Sequence, residues 1–264
     1  MRANANKIIW LTGASSGIGE SLAYELNYQG HKLIISARNK EQLKKVKEKC
    51  KYPQKVAILP LDLEDLTSMR NIVKTAISIY GRLDILINNA GLSQRSLIIE
   101  TNLEVFEKLM LVNYLGTVAL SKEVLPHFIT NGGGHFVVVS SLMGKFGSPY
   151  RSGYCGAKHA LHGFFDVLRM EHEKDGVDVT IICPGFIQTN VAINALTGDG
   201  SSQKRNDSAT ENGMSPDKFA RKMIRAIHRK KFEAYIGGKE ISGIYVKRIF
   251  PKLLHKIVLR SKVR

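Results

Sequence analysis

Several features that would place a protein in a familiar class are missing from this sequence. It has only three cysteines, Cys50, Cys155 and Cys183, scattered and without a CxxC pair. That excludes a disulfide framework and a thiolate zinc site, and it suits a reducing, cytosol-like compartment. No stretch reaches the ~18 apolar residues that a bilayer span requires. The opening residues, MRANANKIIWLTGAS, hold no apolar run of signal-peptide length. The expected location is therefore cytoplasmic. None of the eight histidines falls in a metal-ligand spacing such as HExxH, and no metal is expected. There is no internal repeat and no low-complexity tract. With 44% hydrophobic and 23% charged residues among 264, the composition excludes disorder and fits one α/β domain over residues 1–264.

Acidic residues run short in one region only. Between Ser215 and Arg264 there are 15 Lys and Arg against 3 Asp and Glu, a net of +12; the chain total is +16, so the first 214 residues carry only +4. A uniformly basic surface would suggest nucleic acid. A basic tail on a nearly neutral body suggests a local interface, and no nucleic-acid partner is expected. Within residues 242–264, Ile249, Phe250, Leu253, Leu254, Ile257 and Val258 form a helical stripe flanked by Lys247, Arg248, Lys252, Lys256 and Arg260. Pro251 fits the first turn of a helix starting near Phe250. Such a stripe either packs on the body or a second subunit, or lies in the boundary of an anionic membrane as a peripheral contact.

The dominant signal is alternation. Apolar strand-like runs at Lys7–Thr12, Lys32–Ala37, Val56–Leu61, Asp84–Asn88, His135–Ser140, Val177–Cys183 and Glu233–Ile236 are separated by helical periods. These helices are predicted at Gly17–Gln29, Lys40–Lys49, Asp65–Tyr80, Leu103–Ile129, Ser152–Lys174 and Pro216–Lys230. Fully apolar strands between helices predict a doubly wound parallel sheet of about seven strands with helices on both faces. Ligands of such sheets sit beyond the strand C-termini. Gly198–Met214 has almost no apolar content and reads as a flexible loop or lid.

Three stretches carry chemistry. Thr12–Gly19 (TGASSGIG) follows a strand and opens a helix, where glycines let a pyrophosphate approach the free N–H groups of the helix N-terminus. Glu20 stands where a P-loop would have Lys, which excludes that motif; a plain strand-to-helix turn is the simpler alternative. The second strand ends at Arg38 rather than at a carboxylate. A guidanidinium there forks onto a 2′-phosphate and favours NADP(H), unless it is simply a solvated arginine. Asp62 and Leu63 offer an adenine contact or a cap. Tyr154 and Lys158, four apart, share one helix face. An ammonium beside a phenol favours the phenolate and makes Tyr154 a candidate acid/base. Ser141, at the end of the preceding strand, reaches the same substrate oxygen; Ser140 competes for that role, and alternation allows only one of them. Asn113 lies inside a helical period, where an amide either bends the helix or holds a water linking Lys158 to solvent. Met143, Phe146, Tyr150, Phe186 and Ile187 line an apolar pocket or pack in the core. His162, Cys155 and Cys183 read as packing residues.

These residues together resemble the short-chain dehydrogenases/reductases over nearly the whole chain. TGASSGIG resembles the family's cofactor motif, Asn88–Gly91 its NNAG motif, and Pro184–Gly185 with Thr189 the segment that closes over a nicotinamide. The resemblance implies a Rossmann-type fold and a catalytic set of Asn113, Ser141, Tyr154 and Lys158. It implies cofactor contacts from Gly13, Ser15, Ser16, Gly17, Ile18 and Gly19, from Arg38, Asp62 and Leu63, and from Asn89, Ala90 and Gly91. Tyr154, Lys158, Pro184, Gly185, Ile187 and Thr189 complete them. The implied activity is interconversion of a carbonyl and a secondary alcohol with NADP(H). Ser16 stands where many NADP-preferring members have a basic residue, which leaves NAD(H) open. Phe186–Gly200 and Ser148–His159 resemble the subgroup containing dehydrogenase/reductase family member 7B. Vertebrate members of that subgroup carry an N-terminal membrane anchor; this chain starts almost at its first strand, so no anchor is expected. The family also implies a homodimer or homotetramer through Leu103–Ile129 and Ser152–Lys174. A binding protein that senses NADP(H) without turnover is the rival, against which the complete catalytic set argues.

Overall fold

The computed structural model describes residues 6–261. Residues 1–5 of the expected domain and 262–264 of the expected tail lie outside the described residues. The strands are β1 (Ile8–Thr12), β2 (Lys32–Ser36), β3 (Val56–Ile58), β4 (Ile85–Asn88), β5 (Gly134–Val139), β6 (Val177–Pro184) and β7 (Glu233–Ile236). All are parallel, in the spatial order β3-β2-β1-β4-β5-β6-β7. The helices are α1 (Gly17–Tyr28), α2 (Lys40–Lys49), α3 (Met69–Tyr80), α4 (Leu103–Met110) and α5 (Gly116–Thr130). They continue with α6 (Ser152–Glu171), α7 (Ser208–Glu211), α8 (Pro216–His228), α9 (Ser242–Ile249) and α10 (Pro251–Arg260).

Why this sequence makes this sheet is visible in β1. Successive side chains point to opposite faces, and both faces are covered. Ile8 and Trp10 enter one core with α3, α5 and α6, where Phe128, Phe136 and Phe165 stack as an aromatic column. Ile9 and Leu11 enter the other with α1, α2 and α8, against Leu22, Leu43 and Phe219. Each such buried side chain contributes about 1.5–3 kcal/mol. The Trp10 indole N–H donates to Ser36 Oγ at 2.8 Å, so its polar atom is satisfied. Chain order reverses direction between β1 and β4, which opens the crevice beyond their C-terminal ends.

The structure shifts several predicted boundaries for identifiable reasons. β3 ends at Ile58 instead of Leu61, although Leu59 and Leu61 still donate to the carbonyls of Ile35 and Ala37 along β2 and its continuation. The helix predicted from Asp65 starts as a 3₁₀ turn capped by the Asp65 carboxylate, and α3 proper begins at Met69. The long helix predicted over Leu103–Ile129 divides into α4 and α5 at a π-turn, Leu111–Leu115. The helix predicted over Ser152–Lys174 ends at Glu171. The Gly198–Met214 segment contains α7 and buries Asp207 and Thr210. In the tail, α10 does begin with Pro251 at its first turn, after Phe250.

Candidate active site

Two cavities meet beyond the C-terminal ends of the strands. The first, about 600 Å³, lies over the β1–α1 turn. Thr12 ends β1, and its hydroxyl accepts from the Asn89 and Ala90 N–H groups at 3.0 and 3.1 Å while donating to Ile87 O. The Asn89 amide donates to the carbonyls of Thr12 and Gly13. These bonds fix the turn at the edge of the cleft. Gly17 has φ +57°, and a Cβ there would lie 2.9 Å from Thr189 Cγ2; only glycine suits both the dihedral and the approach. Ser16, the N-cap of α1, makes no side-chain capping bond. The cleft is thus lined by Gly13, Ser15, Ser16, Gly17, Ile18 and Gly19 on one wall, and by Asn89, Ala90, Gly91 and Thr189 on another.

At its far end stand Arg38, Asp62 and Leu63. Asp62 does cap a turn, accepting from Glu64 N at 3.0 Å. Arg38 is not simply solvated. Its Nη1 lies 3.5 Å from Glu64 Oε1, which Lys108 Nζ also approaches at 3.4 Å. No sequence signal singled out Glu64 or Lys108.

The second cavity, about 440 Å³, is mostly apolar and shares Ile18, Asn89, Gly91 and Thr189 with the first. Ser141, Tyr154 and Lys158 face it, as do Pro184, Gly185 and Ile187. β5 delivers the serines. Ser140 turns inward, donating to the Lys158 carbonyl at 3.1 Å and lying 3.0 Å from His162 Nε2. Ser141 turns the other way and caps the following 3₁₀ turn, its Oγ accepting from Met143 N. Both serines border the cavity, but the Ser140 hydroxyl is engaged by the Lys158 carbonyl and His162.

α6 carries Tyr154 and Lys158 on one face, with Lys158 Nζ 5.7 Å from the Tyr154 ring centre and donating to Val139 O at 2.8 Å. Burial pushes the Lys158 ammonium down to about 8. Burial pushes the Tyr154 phenol up from its ordinary value, against the opposing pull of Ser141, Arg95 and Arg151. Asn113 lies in the π-turn between α4 and α5, and its amide engages both backbone groups of Leu92, at 2.8 and 3.0 Å. Gly91 lies between it and the lysine: a Cβ would stand 2.7 Å from Asn113 Oδ1 and 3.4 Å from Lys158 Nζ.

The sequence reading missed the cluster behind the tyrosine. Asp207, 2% exposed, accepts from Arg95 Nε at 2.9 Å and Nη2 at 2.5 Å, and from Arg151 Nη2 at 3.2 Å. Burial would raise the Asp207 carboxyl, yet the two guanidinium groups hold it below its ordinary value. The Asp207 carboxylate thus joins the Arg95 and Arg151 guanidinium groups at the cavity wall. The available hint was Arg151, three residues before Tyr154; Asp207 sits in a segment whose composition reads as solvent-exposed. His162 belongs to an internal network, as its packing role implied. Its Nδ1 lies 2.9 Å from Glu233 Oε1, and Glu233 also binds Lys145 and Tyr235. Despite its partial burial, those partners draw Glu233 down to about 2. Cys155 and Cys183 are buried. Among the described residues no group of three His, Cys, Asp or Glu side chains is arranged to hold a metal.

A glycine-walled cleft joined to a cavity bearing Ser, Tyr and Lys agrees with comparison to known proteins. The family model described as short chain dehydrogenase matches residues 7–199. The chain belongs to the short-chain dehydrogenase/reductase family. It is 39% identical to the dehydrogenase/reductase SDR family protein 7-like of Drosophila melanogaster, over 98% of this chain and 81% of that one. It is 42% identical to the human dehydrogenase/reductase SDR family member 7, over 87% and 69%. With member 7B of Xenopus laevis it shares 37% over 97% and 82%. Among solved structures it is similar to a short-chain dehydrogenase from Streptomyces avermitilis, with a TM-score of 0.82 and 25% identity, over 97% of this chain and 98% of that one. It also resembles ElxO with NADP bound, with a TM-score of 0.67 and 31% identity over 69% and 75%. The chain is therefore an oxidoreductase of this family with its Rossmann-type nucleotide-binding fold.

Proposed function

We propose that this enzyme interconverts a carbonyl and a secondary alcohol on a lipophilic small molecule, using NADP(H) in preference to NAD(H). The observation that carries this reading is the placement of Ser141, Tyr154 and Lys158 where the glycine-walled cleft opens into the apolar cavity. The cleft fits a dinucleotide: the N-terminus of α1 and the uncapped Ser16 offer donors to a pyrophosphate, and Asp62 and Leu63 bound an adenine site. A bound nicotinamide dinucleotide supplies or takes up the hydride. Arg38 supports a 2′-phosphate, and the NADP bound to ElxO is consistent with it; Glu64 beside Arg38 tempers that preference.

The protein's own part follows from the geometry. Ser141 donates a hydrogen bond to the substrate oxygen and fixes its position. Tyr154 gives a proton to that oxygen, or takes one from it, through its phenol. A phenol of raised pKa is a competent donor but a poor base, so the oxidation direction requires added positive charge near it. Lys158 and the buried Arg95–Asp207–Arg151 cluster supply part of that charge. Asn113, locked onto Leu92, holds the π-turn that places Gly91 against Lys158. The apolar wall formed by Leu142, Phe146, Phe186 and Leu254 excludes water and selects a lipophilic substrate. The 198–214 segment reaches the cavity through Thr210 and is fastened by Asp207 to Arg95 and Arg151, the role of a lid. Exposed Leu115, Ile129, Val167 and Met170 on and beside α5 and α6 support a homodimer. The test is turnover on a panel of lipophilic ketones and aldehydes, followed by NADPH absorbance. NADPH-dependent reduction of apolar members is expected; a panel without turnover by either cofactor would overturn the reading.

A further inference from the structure

The C-terminal stripe divides between two environments. On α10, Leu254 is buried and Val258 half-buried, both packed on the aromatic core; on α9, Gly243 packs against the Phe146 ring. The rest of the stripe faces out: Ile249 is 68% exposed, Phe250 60%, Leu253 49% and Ile257 48%. Packing on the body therefore accounts for only two of its six residues. Lys247, Arg248, Lys252, Lys256 and Arg260 surround the exposed part, all exposed, and among the described residues none of them forms an ion pair. From Ser242 to Arg264 the chain has seven Lys and Arg and no acidic residue.

This face is continuous with the active site. Leu254, Ile257 and Val258 line the apolar cavity beside Tyr154, and Ile257 is both cavity wall and exposed surface. The rim of the cavity is thus the edge of the apolar stripe. We propose that α9 and α10 dock the enzyme on an anionic lipid bilayer, with Ile249, Phe250, Leu253 and Ile257 in the headgroup boundary and the flanking cations on the lipid phosphates. The cavity mouth then opens to the membrane, so a lipophilic substrate enters from the bilayer without crossing water. Its substrate-delivery half rests on the oxidoreductase reading; the docking itself does not.

Charge decides between occupants. A second copy on the same face would bring two sets of cations together with no acidic partner, a repulsive arrangement. A nucleic acid would satisfy the cations but would leave the Ile, Leu and Phe side chains without an apolar partner. An anionic bilayer suits both, and its attraction to basic residues decays with salt. No helix among the described residues is long and apolar enough to cross a membrane, so the contact is peripheral.

The test is co-sedimentation of the full-length protein, loaded with NADPH, with phosphatidylcholine vesicles and with vesicles containing phosphatidylglycerol, at low and high salt. We expect at least about tenfold stronger binding to the anionic vesicles at low salt and its loss at high salt. Lys252→Glu with Lys256→Glu should abolish binding, and Ile249→Ser with Leu253→Ser should weaken it about tenfold or more. These positions are exposed, and unchanged NADPH affinity confirms that the variants fold. Failure to bind anionic vesicles at low salt overturns the proposal. So does equal binding to both vesicle types, or insensitivity to the apolar variants. An Ile249→Ser/Leu253→Ser protein that changes oligomeric state while wild type ignores vesicles would assign the face to a second copy. DNA retention unaffected by the apolar variants, without vesicle binding, would assign it to nucleic acid. Vesicle binding without turnover on any carbonyl would instead refute only the oxidoreductase reading.

Discussion

The cofactor half of the cleft is drawn from two short stretches: the Thr12–Gly19 turn and the Asn89–Gly91 segment, tied together at the ends of adjacent strands by the Thr12 hydroxyl and the Asn89 amide bonding main-chain groups. The substrate half is made of side chains from segments far apart in sequence. Arg95 and Asp207 meet across 112 positions, and the cavity wall combines β5, α6, the segment after β6, and α10. The first half needs glycine at fixed spacing because the ligand must approach the main chain. The second needs only that charges balance and that apolar surfaces meet, which many residue combinations achieve. One half is therefore specified by local sequence, the other by tertiary assembly.

The sharpest way to break this comparison is at the side-chain half. Asp207→Ala removes the carboxylate that Arg95 and Arg151 share in a buried site, and should destabilise the protein by about 3–5 kcal/mol. Urea unfolding measures it; a loss under about 1 kcal/mol would mean that the cluster is hydrated and does not fasten the 198–214 segment. Lys158 comes next. Its folded pKa of about 8 lies below its ordinary 10.5. Between those values the unfolded chain holds a proton that the folded one lacks, so stability from this group rises with pH across that window. Below pH 8 the buried ammonium costs about 3 kcal/mol. Lys158→Met should therefore be more stable than wild type at pH 7 by about 1–3 kcal/mol, part of the gain being offset by loss of the Val139 hydrogen bond. The difference should shrink toward pH 10.5; a constant or negative difference contradicts the burial argument.

Smaller effects test the cofactor half. Arg38→Asp should weaken NADPH binding about 10- to 100-fold and NADH binding by only a few-fold. Equal weakening of both would make Arg38 a structural residue. Glu64→Gln removes the carboxylate competing for Arg38 at an exposed site, and should tighten NADPH binding by about 1 kcal/mol or less. No change, or weaker binding, would mean that Glu64 positions Arg38 rather than competing with a phosphate.

What was legible in the sequence follows the same division. Fully apolar runs such as IIWLT predicted both covered sheet faces, and the sheet has the expected seven strands. TGASSGIG marked the turn because φ > 0 and close approach leave few residue choices. The Tyr154–Lys158 spacing survived because helical geometry fixes it. What failed was anything set by environment. The Tyr154 phenol is raised because burial outweighs its charged neighbours, and no spacing rule reports burial. Asp207 looked like loop polarity because its partners, Arg95 and Arg151, lie 112 and 56 positions away. The tail stripe was read as one face, although only the folded body determines which part it covers.

The most direct test of the division of labour is Tyr154→Phe, with NADPH affinity and turnover measured on the same preparation. The phenol oxygen belongs to the chemistry and not to the backbone cradle. NADPH should bind within about twofold of wild type while turnover falls about 10²–10⁴-fold. Turnover within a few-fold of wild type, or cofactor affinity lost in parallel with it, would contradict the assignment of the proton transfer to Tyr154 and of cofactor binding to the glycine-walled half.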